Sequence, residues 1–150
     1  MMDIGKKIID KLYYGPSFTF VDEIIKVDDE GIVGSYTFKE NESFYESHFP
    51  DMPVTPGVIM IESLGQIGVV CYFIYIMMTE NGIEDFSNIK PAFTSCEIDF
   101  FKPVFPGEKV TVKSRKIYFR LKKLKCYAEM TNNKGEIVCK GHLSGIYLES

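Results

Sequence analysis

The stretch that most constrains the fold runs from residue 58 to residue 78, where nearly every position is apolar. It follows a turn with prolines at positions 50, 53 and 56, and no further proline occurs before Pro91. The prolines forbid a regular helix up to Gly57, whereas the run after it is typical of a helix buried on most of its circumference. At 1.5 Å per residue this helix would be about 30 Å long, which is the width of a small domain.

A helix of this length could also span a lipid bilayer, so a transmembrane segment is the alternative interpretation. Glu62 and Gln66 stand near its start, and no basic residue precedes Val58 directly. A carboxylate inside hydrocarbon costs about 3 kcal/mol on insertion scales. Residues 1–8 contain no apolar run long enough for a signal peptide. We therefore expect a core helix of a cytoplasmic protein, with no membrane role.

The rest of the chain is mostly strand-like. A short amphipathic helix is predicted over residues 3–12 with Asp3 as its N-cap, and Asn81-Gly82 should end the long helix. Strands are predicted over residues 18–27, 32–38, 91–101, 109–120, 124–131 and 137–148, with tight turns at 28–31 and 132–135. Because strands and helices do not alternate, we predict an α+β fold, one long helix wrapped by an antiparallel sheet, in a single domain of residues 1–150.

Charge is unevenly distributed along the chain. The net charge of −4 argues against nucleic acid as a partner. Between residues 113 and 125 there are seven basic residues and no acidic one, so a net charge of −11 remains on the rest. This basic segment is either a solvated surface or a docking site for an acidic partner. Its residues are Lys113, Arg115, Lys116, Arg120, Lys122, Lys123 and Lys125.

The four cysteines indicate neither a metal site nor disulfides. None belongs to a C-x-x-C pair, and no histidine lies at ligand spacing from any of them, so zinc is not expected. We interpret them as buried free thiols in a reducing compartment.

Two residues flanking the proline turn are candidates for acid–base chemistry. His48 stands in an irregular loop before the prolines, where a rigid backbone can aim its side chain. The other histidine, His142, falls inside the last predicted strand, and we interpret it as a structural or surface residue. Glu62 lies in the first turns of an otherwise apolar helix, where a carboxylate is costly to bury unless it is paired or protonated. Alone, Glu62 could equally be a partly solvated carboxylate favoured by the helix dipole.

The start of the long helix supplies a third element. Gly57 allows a ligand to approach the backbone closely, and the next amides, including that of Val58, are the unpaired donors of a helix N-terminus. Such donors suit a developing oxyanion. Gln66 is four residues after Glu62 and therefore close enough to hydrogen-bond it. A base, an acid and an oxyanion donor within one short segment are what proton abstraction beside a carbonyl requires.

The segment 48–66, HFPDMPVTPGVIMIESLGQ, resembles the signature of the β-hydroxyacyl-(acyl carrier protein) dehydratases of the FabZ type. Residues 18–22, FTFVD, and 100–108, FFKPVFPGE, are similar to two further segments of that family. The related dehydratase-isomerases carry Asp where this chain has Glu62, which points away from isomerase activity. The resemblance implies a hotdog fold. It also implies a homodimer in which His48 of one chain faces Glu62 of the other, with a trimer of dimers as a common larger assembly.

The resemblance further implies the reaction. A 3-hydroxyacyl thioester on acyl carrier protein would lose water without any cofactor or metal, with His48 as base and Glu62 as acid. Gly57 and Val58 would stabilise the thioester oxygen, and Gln66 would orient Glu62 or a water. The acidic carrier protein would dock on Lys102, Arg120, Lys122, Lys123 and Lys125. A hotdog acyl-thioesterase and a non-catalytic partner subunit of a heteromeric dehydratase remain as alternatives.

The chain departs from the family pattern in places. Residues 12–16, LYYGP, replace a Leu-Pro-His-Arg type of segment, and Glu23 replaces a basic residue. The long helix is bulkier than usual after Gln66, with Tyr72, Phe73 and Tyr75. These differences leave the acid–base residues in place, but they allow a specialised polyketide or polyene pathway in place of general fatty acid synthesis.

Overall fold

The computed structural model describes residues 3–149. Its helices are α1 (Ile4–Asp10) and α2 (Gly57–Asn81), with short 3₁₀ turns at Pro16–Phe18 and Ser43–Glu46. Its strands are β1 (Glu23–Val27), β2 (Gly31–Thr37), β3 (Ile89–Phe100), β4 (Lys109–Arg120), β5 (Lys123–Thr131) and β6 (Ile137–Glu149). All neighbouring strands are antiparallel, and their order in the six-stranded sheet is β1-β2-β4-β5-β6-β3.

The sheet wraps around α2, as predicted. Residues on the inner face of the sheet, such as Val112, Leu124 and Leu143, are almost fully buried together with Leu64 and Tyr72 of the helix. In the most apolar part of α2, 72% of the residues are buried inside the protein, as expected of a core helix. The left-handed Gly82 ends α2 as predicted, and its N–H donates to the Met77 carbonyl.

The middle of α2 is wider than an α-helix. Residues Gln66–Cys71 form a π-helical turn between α-helical halves at Gly57–Gly65 and Tyr72–Asn81. The carbonyl of Gly68 in this turn accepts a hydrogen bond of 3.0 Å from the Ser114 hydroxyl of β4. A Cβ on Gly68 would lie 3.1 Å from the Ser114 side chain. The backbone of the helix therefore packs directly against the sheet at this point.

The turns follow the sequence closely. The Asp3 carboxylate caps α1 by accepting from the amide of Lys6, as predicted. Asp28 accepts from the amides of Glu30 and Gly31 between β1 and β2, and Asn132 shapes the β5–β6 turn in the same way.

Two expectations are corrected by the structure. The first predicted strand was to begin at residue 18, but β1 begins only at Glu23, because the backbone of Phe18 and Phe20 is hydrogen-bonded to side chains of α2 instead of to a neighbouring strand. The cysteines were expected to be buried, yet only Cys71, Cys126 and Cys139 are; Cys96 is exposed on β3, an edge strand of the sheet.

We predict that Gly68→Val lowers the free energy of unfolding by about 1–3 kcal/mol, because the added carbons must push helix and sheet apart. Urea denaturation followed by circular dichroism measures this. Gly15→Val is the matched control: apart from its two chain neighbours, no described residue has an atom within 4 Å of a Cβ at Gly15, and its φ of −68° suits any residue. Equal losses in the two variants would contradict close contact at Gly68.

Candidate active site

The loop that carries His48 is closed by backbone hydrogen bonds. The His48 amide donates to the Phe44 carbonyl at 3.0 Å, and the His48 carbonyl accepts from the Val54 amide at 3.1 Å. Beyond the prolines, the Thr55 amide donates to the Val104 carbonyl at 2.8 Å, and the hydroxyl groups of Thr55 and Tyr45 are 2.6 Å apart. The loop is thereby held on both sides of the histidine.

A further hydrogen bond, made by the imidazole ring, determines which ring nitrogen of His48 can act as a base. Nδ1 lies 2.9 Å from the Val54 carbonyl oxygen, which can only accept, so Nδ1 carries the proton. In the neutral ring, Nε2 then holds the free lone pair and can act as a base. The ring stacks on that of Phe49 with centroids 4.5 Å apart, which restrains its tilt.

Glu62 is half-buried near the start of α2. Burial raises the pKa of its carboxyl group, and the hydrogen bond from Gln66 opposes that rise in pKa. The raised pKa means that a larger fraction of Glu62 is protonated at a given pH than for an exposed glutamate. Glu62 is therefore suited to donate a proton.

The side chain of Gln66 is completely buried and fully hydrogen-bonded. Its Nε2 donates to Glu62 Oε2 and to the Phe18 carbonyl, both at 2.9 Å, and its Oε1 accepts from the Phe20 amide at 2.7 Å. The hydroxyl of Ser63 adds a bond of 2.9 Å to the Phe20 carbonyl. The segment before β1 and the Glu62 carboxyl are thus positioned by the same amide.

The first two amides of α2 donate no hydrogen bond within residues 3–149. The Pro56 carbonyl accepts from the amides of Ile59 and Met60, so the amides of Gly57 and Val58 precede the helical pattern. The Val58 side chain is 72% exposed. A Cβ on Gly57 would lie 3.3 Å from the Phe100 ring, which leaves little room for any residue but glycine.

A cavity of about 210 Å³ lies beside Glu62. The aromatic rings of Tyr14, Phe18, Phe73 and Phe93 line much of it, and Phe93 rests directly on the backbone of Gly65. Three consecutive residues of the edge strand β3, 91–93, form one wall. The cavity is therefore mainly apolar, with an acidic group at its side.

The structure joins some of the predicted site residues and separates others. Glu62 and Gln66 are hydrogen-bonded and Glu62 lines the cavity, whereas His48, Gly57 and Val58 do not line it. Within residues 3–149, no hydrogen bond connects His48 to Glu62. The two side chains also form no ion pair within these residues.

The basic residues also divide into two places. Arg120, Lys122, Lys123 and Lys125 surround the β4–β5 turn. Lys102 instead pairs with Glu136 at 3.2 Å, beside the β5–β6 turn. Since β5 runs between these turns, they are separated by about 25 Å, at roughly 3.3 Å per residue.

Three residues of interest were missed from the sequence. Tyr14 lines the cavity, and burial and then the nearby Glu62 raise the pKa of its phenol, so the phenol stays neutral. Tyr14 belongs to the segment 12–16 that departs from the family pattern, and this departure is the sequence feature that could have drawn attention to it. Ser63, a polar residue in an apolar helix, could have been noticed in the same way. Leu121, which is 93% exposed, gave no sequence signal beyond its basic neighbours.

The sequence relatives found by comparison with known proteins agree with one another. A FabA-like domain matches residues 14–142. The 3-hydroxyacyl-[acyl-carrier-protein] dehydratase FabZ of Nitratidesulfovibrio vulgaris (strain DSM 19637 / Miyazaki F) is 35% identical over 124 residues, which cover 81% of this chain and 76% of that protein. The FabZ of Francisella tularensis subsp. novicida (strain U112) is 30% identical over 149 residues, covering 95% and 88% of the two chains.

Solved structures confirm the hotdog fold at low sequence identity. The dehydratase heterocomplex ApeI:P from Xenorhabdus doucetiae superposes with a TM-score of 0.79 at 13% identity, covering 95% of this chain and 91% of that one. A hypothetical thioesterase with coenzyme A from Streptococcus pneumoniae TIGR4 has a TM-score of 0.59 at 15% identity, covering 85% and 86%. The family match spans most of the chain and agrees with the motif around Glu62, so the protein belongs to the FabA-like family.

Proposed function

We propose that the protein is a 3-hydroxyacyl-[acyl-carrier-protein] dehydratase, acting in fatty acid synthesis or a related polyketide or polyene pathway. The observation that carries the proposal is the Glu62 carboxyl beside an apolar cavity, with its pKa raised by burial and its orientation fixed by Gln66. The names of the FabZ relatives support the same reaction.

In the reaction, His48 Nε2 removes a proton from C2 of the acyl chain. The amides of Gly57 and Val58 stabilise the negative charge that develops on the thioester oxygen. Protonated Glu62 donates to the 3-hydroxyl group, the C3–O bond breaks, and the C2–C3 double bond forms as water leaves. His48 ends protonated and Glu62 ionised, so a proton must return from the histidine to the glutamate before the next turnover.

The apolar cavity receives the acyl chain next to the acid. Burial beside its walls raises the pKa of the Glu62 carboxyl. Gln66 keeps the carboxyl directed at the substrate, since its own position is fixed by three hydrogen bonds.

We predict that His48→Ala and Glu62→Gln each lower kcat about 10²- to 10⁴-fold, because each removes one proton-transfer group. Hydration of a trans-2-enoyl thioester on carrier protein, followed by loss of enoyl absorbance, measures the rate. His142→Ala and Glu80→Gln are matched controls on exposed side chains outside the site. An unchanged rate in either site variant would contradict the assignment, and release of free thiol by the wild type would favour a thioesterase.

We also propose that the active site is shared between two copies of the chain. No hydrogen bond or ion pair joins His48 to Glu62 within residues 3–149, and the outer side of the edge strand β3 has no neighbouring strand within those residues. An exposed edge of 12 residues favours pairing with another strand. Because β3 also forms a wall of the cavity, a second chain paired there would lie close to Glu62.

A shared site predicts complementation between inactive variants. In a dimer of one His48→Ala chain with one Glu62→Gln chain, one of the two sites keeps both groups. Random mixing by co-refolding should therefore restore about a quarter of wild-type activity, given two-fold symmetry. Activity that stays at the level of the separate variants would show that both groups act within one chain.

We propose further that the carrier protein docks at the β4–β5 turn. Arg120, Lys122, Lys123 and Lys125 cluster there, and none of the ion pairs formed within residues 3–149 involves them. Lys102 is already paired with Glu136 and lies near the other end of β5, so it contributes less to this surface.

Charge reversal tests the docking surface. Lys122→Glu with Lys123→Glu should raise KM for carrier-bound substrate more than KM for a small thioester mimic, because only the former uses the surface. Lys6→Glu with Lys7→Glu, two adjacent exposed lysines of α1, controls for the change in net charge. A parallel rise in KM for both substrates would contradict docking at this turn.

A further inference from the structure

The turn between β4 and β5 has a backbone conformation that its residues disfavour. Arg120 pairs with Lys123, leaving a two-residue loop of Leu121 and Lys122. Their φ angles are +51° and +65°, so both are in the left-handed region. Two-residue hairpin loops of this kind favour Asn-Gly, since leucine and lysine are destabilised at positive φ by their Cβ atoms. The local geometry therefore does not account for a leucine here.

Packing does not account for it either. The Leu121 side chain is 93% exposed, the highest value among the large apolar side chains of the described residues. Neither the core nor the cavity beside Glu62 includes it. A large apolar side chain at the tip of a disfavoured turn gains nothing from folding alone, and such sites are often retained for function.

The surroundings of Leu121 indicate the chemistry of what would cover it. The Arg120 guanidinium lies 4.3 Å from the Tyr118 ring centroid, and Lys122 Nζ lies 5.6 Å from that of Tyr147. Both cations are thereby held beside the tip, and neither forms an ion pair with a carboxylate of residues 3–149. Leu121 thus projects from the middle of a positive surface, which complements an acidic surface containing an apolar depression.

We propose that Leu121 is the apolar anchor through which the basic turn holds an acidic carrier protein. This inference rests on the proposed function and adds a residue that charge alone would not select. The cations accelerate and orient the encounter, whereas the leucine, once desolvated, slows dissociation.

The test replaces the leucine with the residue that the turn prefers. Leu121→Asn should raise the Tm by a few degrees, since asparagine tolerates positive φ. It should also raise KM for carrier-bound substrate about fivefold or more relative to KM for a small thioester mimic. A variant that is more stable yet docks less well cannot be explained by loss of folding.

Two further variants make the result specific. Leu121→Met keeps an apolar tip and should recover most of the affinity for carrier protein that Leu121→Asn loses, as measured by calorimetric titration. Leu148→Asn, at a leucine that is 53% exposed on β6, should leave the ratio of the two KM values at its wild-type level.

Several outcomes would overturn the anchor. An unchanged ratio of KM values in Leu121→Asn would do so, as would an equal rise in KM for both substrates. If Leu121→Asn formed a smaller oligomer than the wild type on size-exclusion chromatography, Leu121 would be assigned to a contact between copies of the chain. Wild-type protein that acts on neither substrate would instead overturn the proposed function, and so the two failures can be told apart.

Discussion

The buried side-chain amide of Gln66 is the interaction on which the site depends. Its two N–H groups and its carbonyl are all used within the protein, reaching Glu62, Phe18 and Phe20. A buried amide with an unmet donor or acceptor would cost about 1–3 kcal/mol. The helix, the segment entering β1 and the carboxyl of Glu62 must therefore be correctly placed at the same time. Few other arrangements of these three parts would satisfy the amide.

The long helix and the later strands could be predicted because their patterns are local. The apolar run, the prolines before it and Gly82 after it fix α2, and alternation along β4 gives the strand its bounds. The contact of Glu62 with Gln66 follows from their spacing of four residues on a helix. The catalytic roles of these residues, by contrast, came from the family resemblance together with their chemistry, and they remain proposals.

Features that depend on distant contacts were not predictable. Residues 18–22 are rich in aromatic and β-branched side chains and look like a strand, but Gln66 and Ser63 take over the hydrogen bonds of Phe18 and Phe20. Cys96 is exposed because β3 lies at the edge of the sheet, and strand order cannot be deduced from alternation. Tyr14 reaches the cavity only because the segment before β1 is folded onto α2.

The π-helical turn in α2 lies between Glu62, near the start of the helix, and the buried aromatic residues Tyr72 and Phe73. Such a turn holds one residue more than the α-helical turn that it replaces. Each residue of a helix rotates the downstream part by about 100° and advances it by about 1.5 Å. Deleting one residue from Gln66–Cys71 would therefore close this turn to α-helical geometry, with Glu62 before it and Tyr72 and Phe73 after it still on their present faces. In evolution, this turn can therefore lose its extra residue without replacement of the buried residues downstream, whereas the same deletion in the α-helical half Gly57–Gly65 would rotate all of them by about 100°.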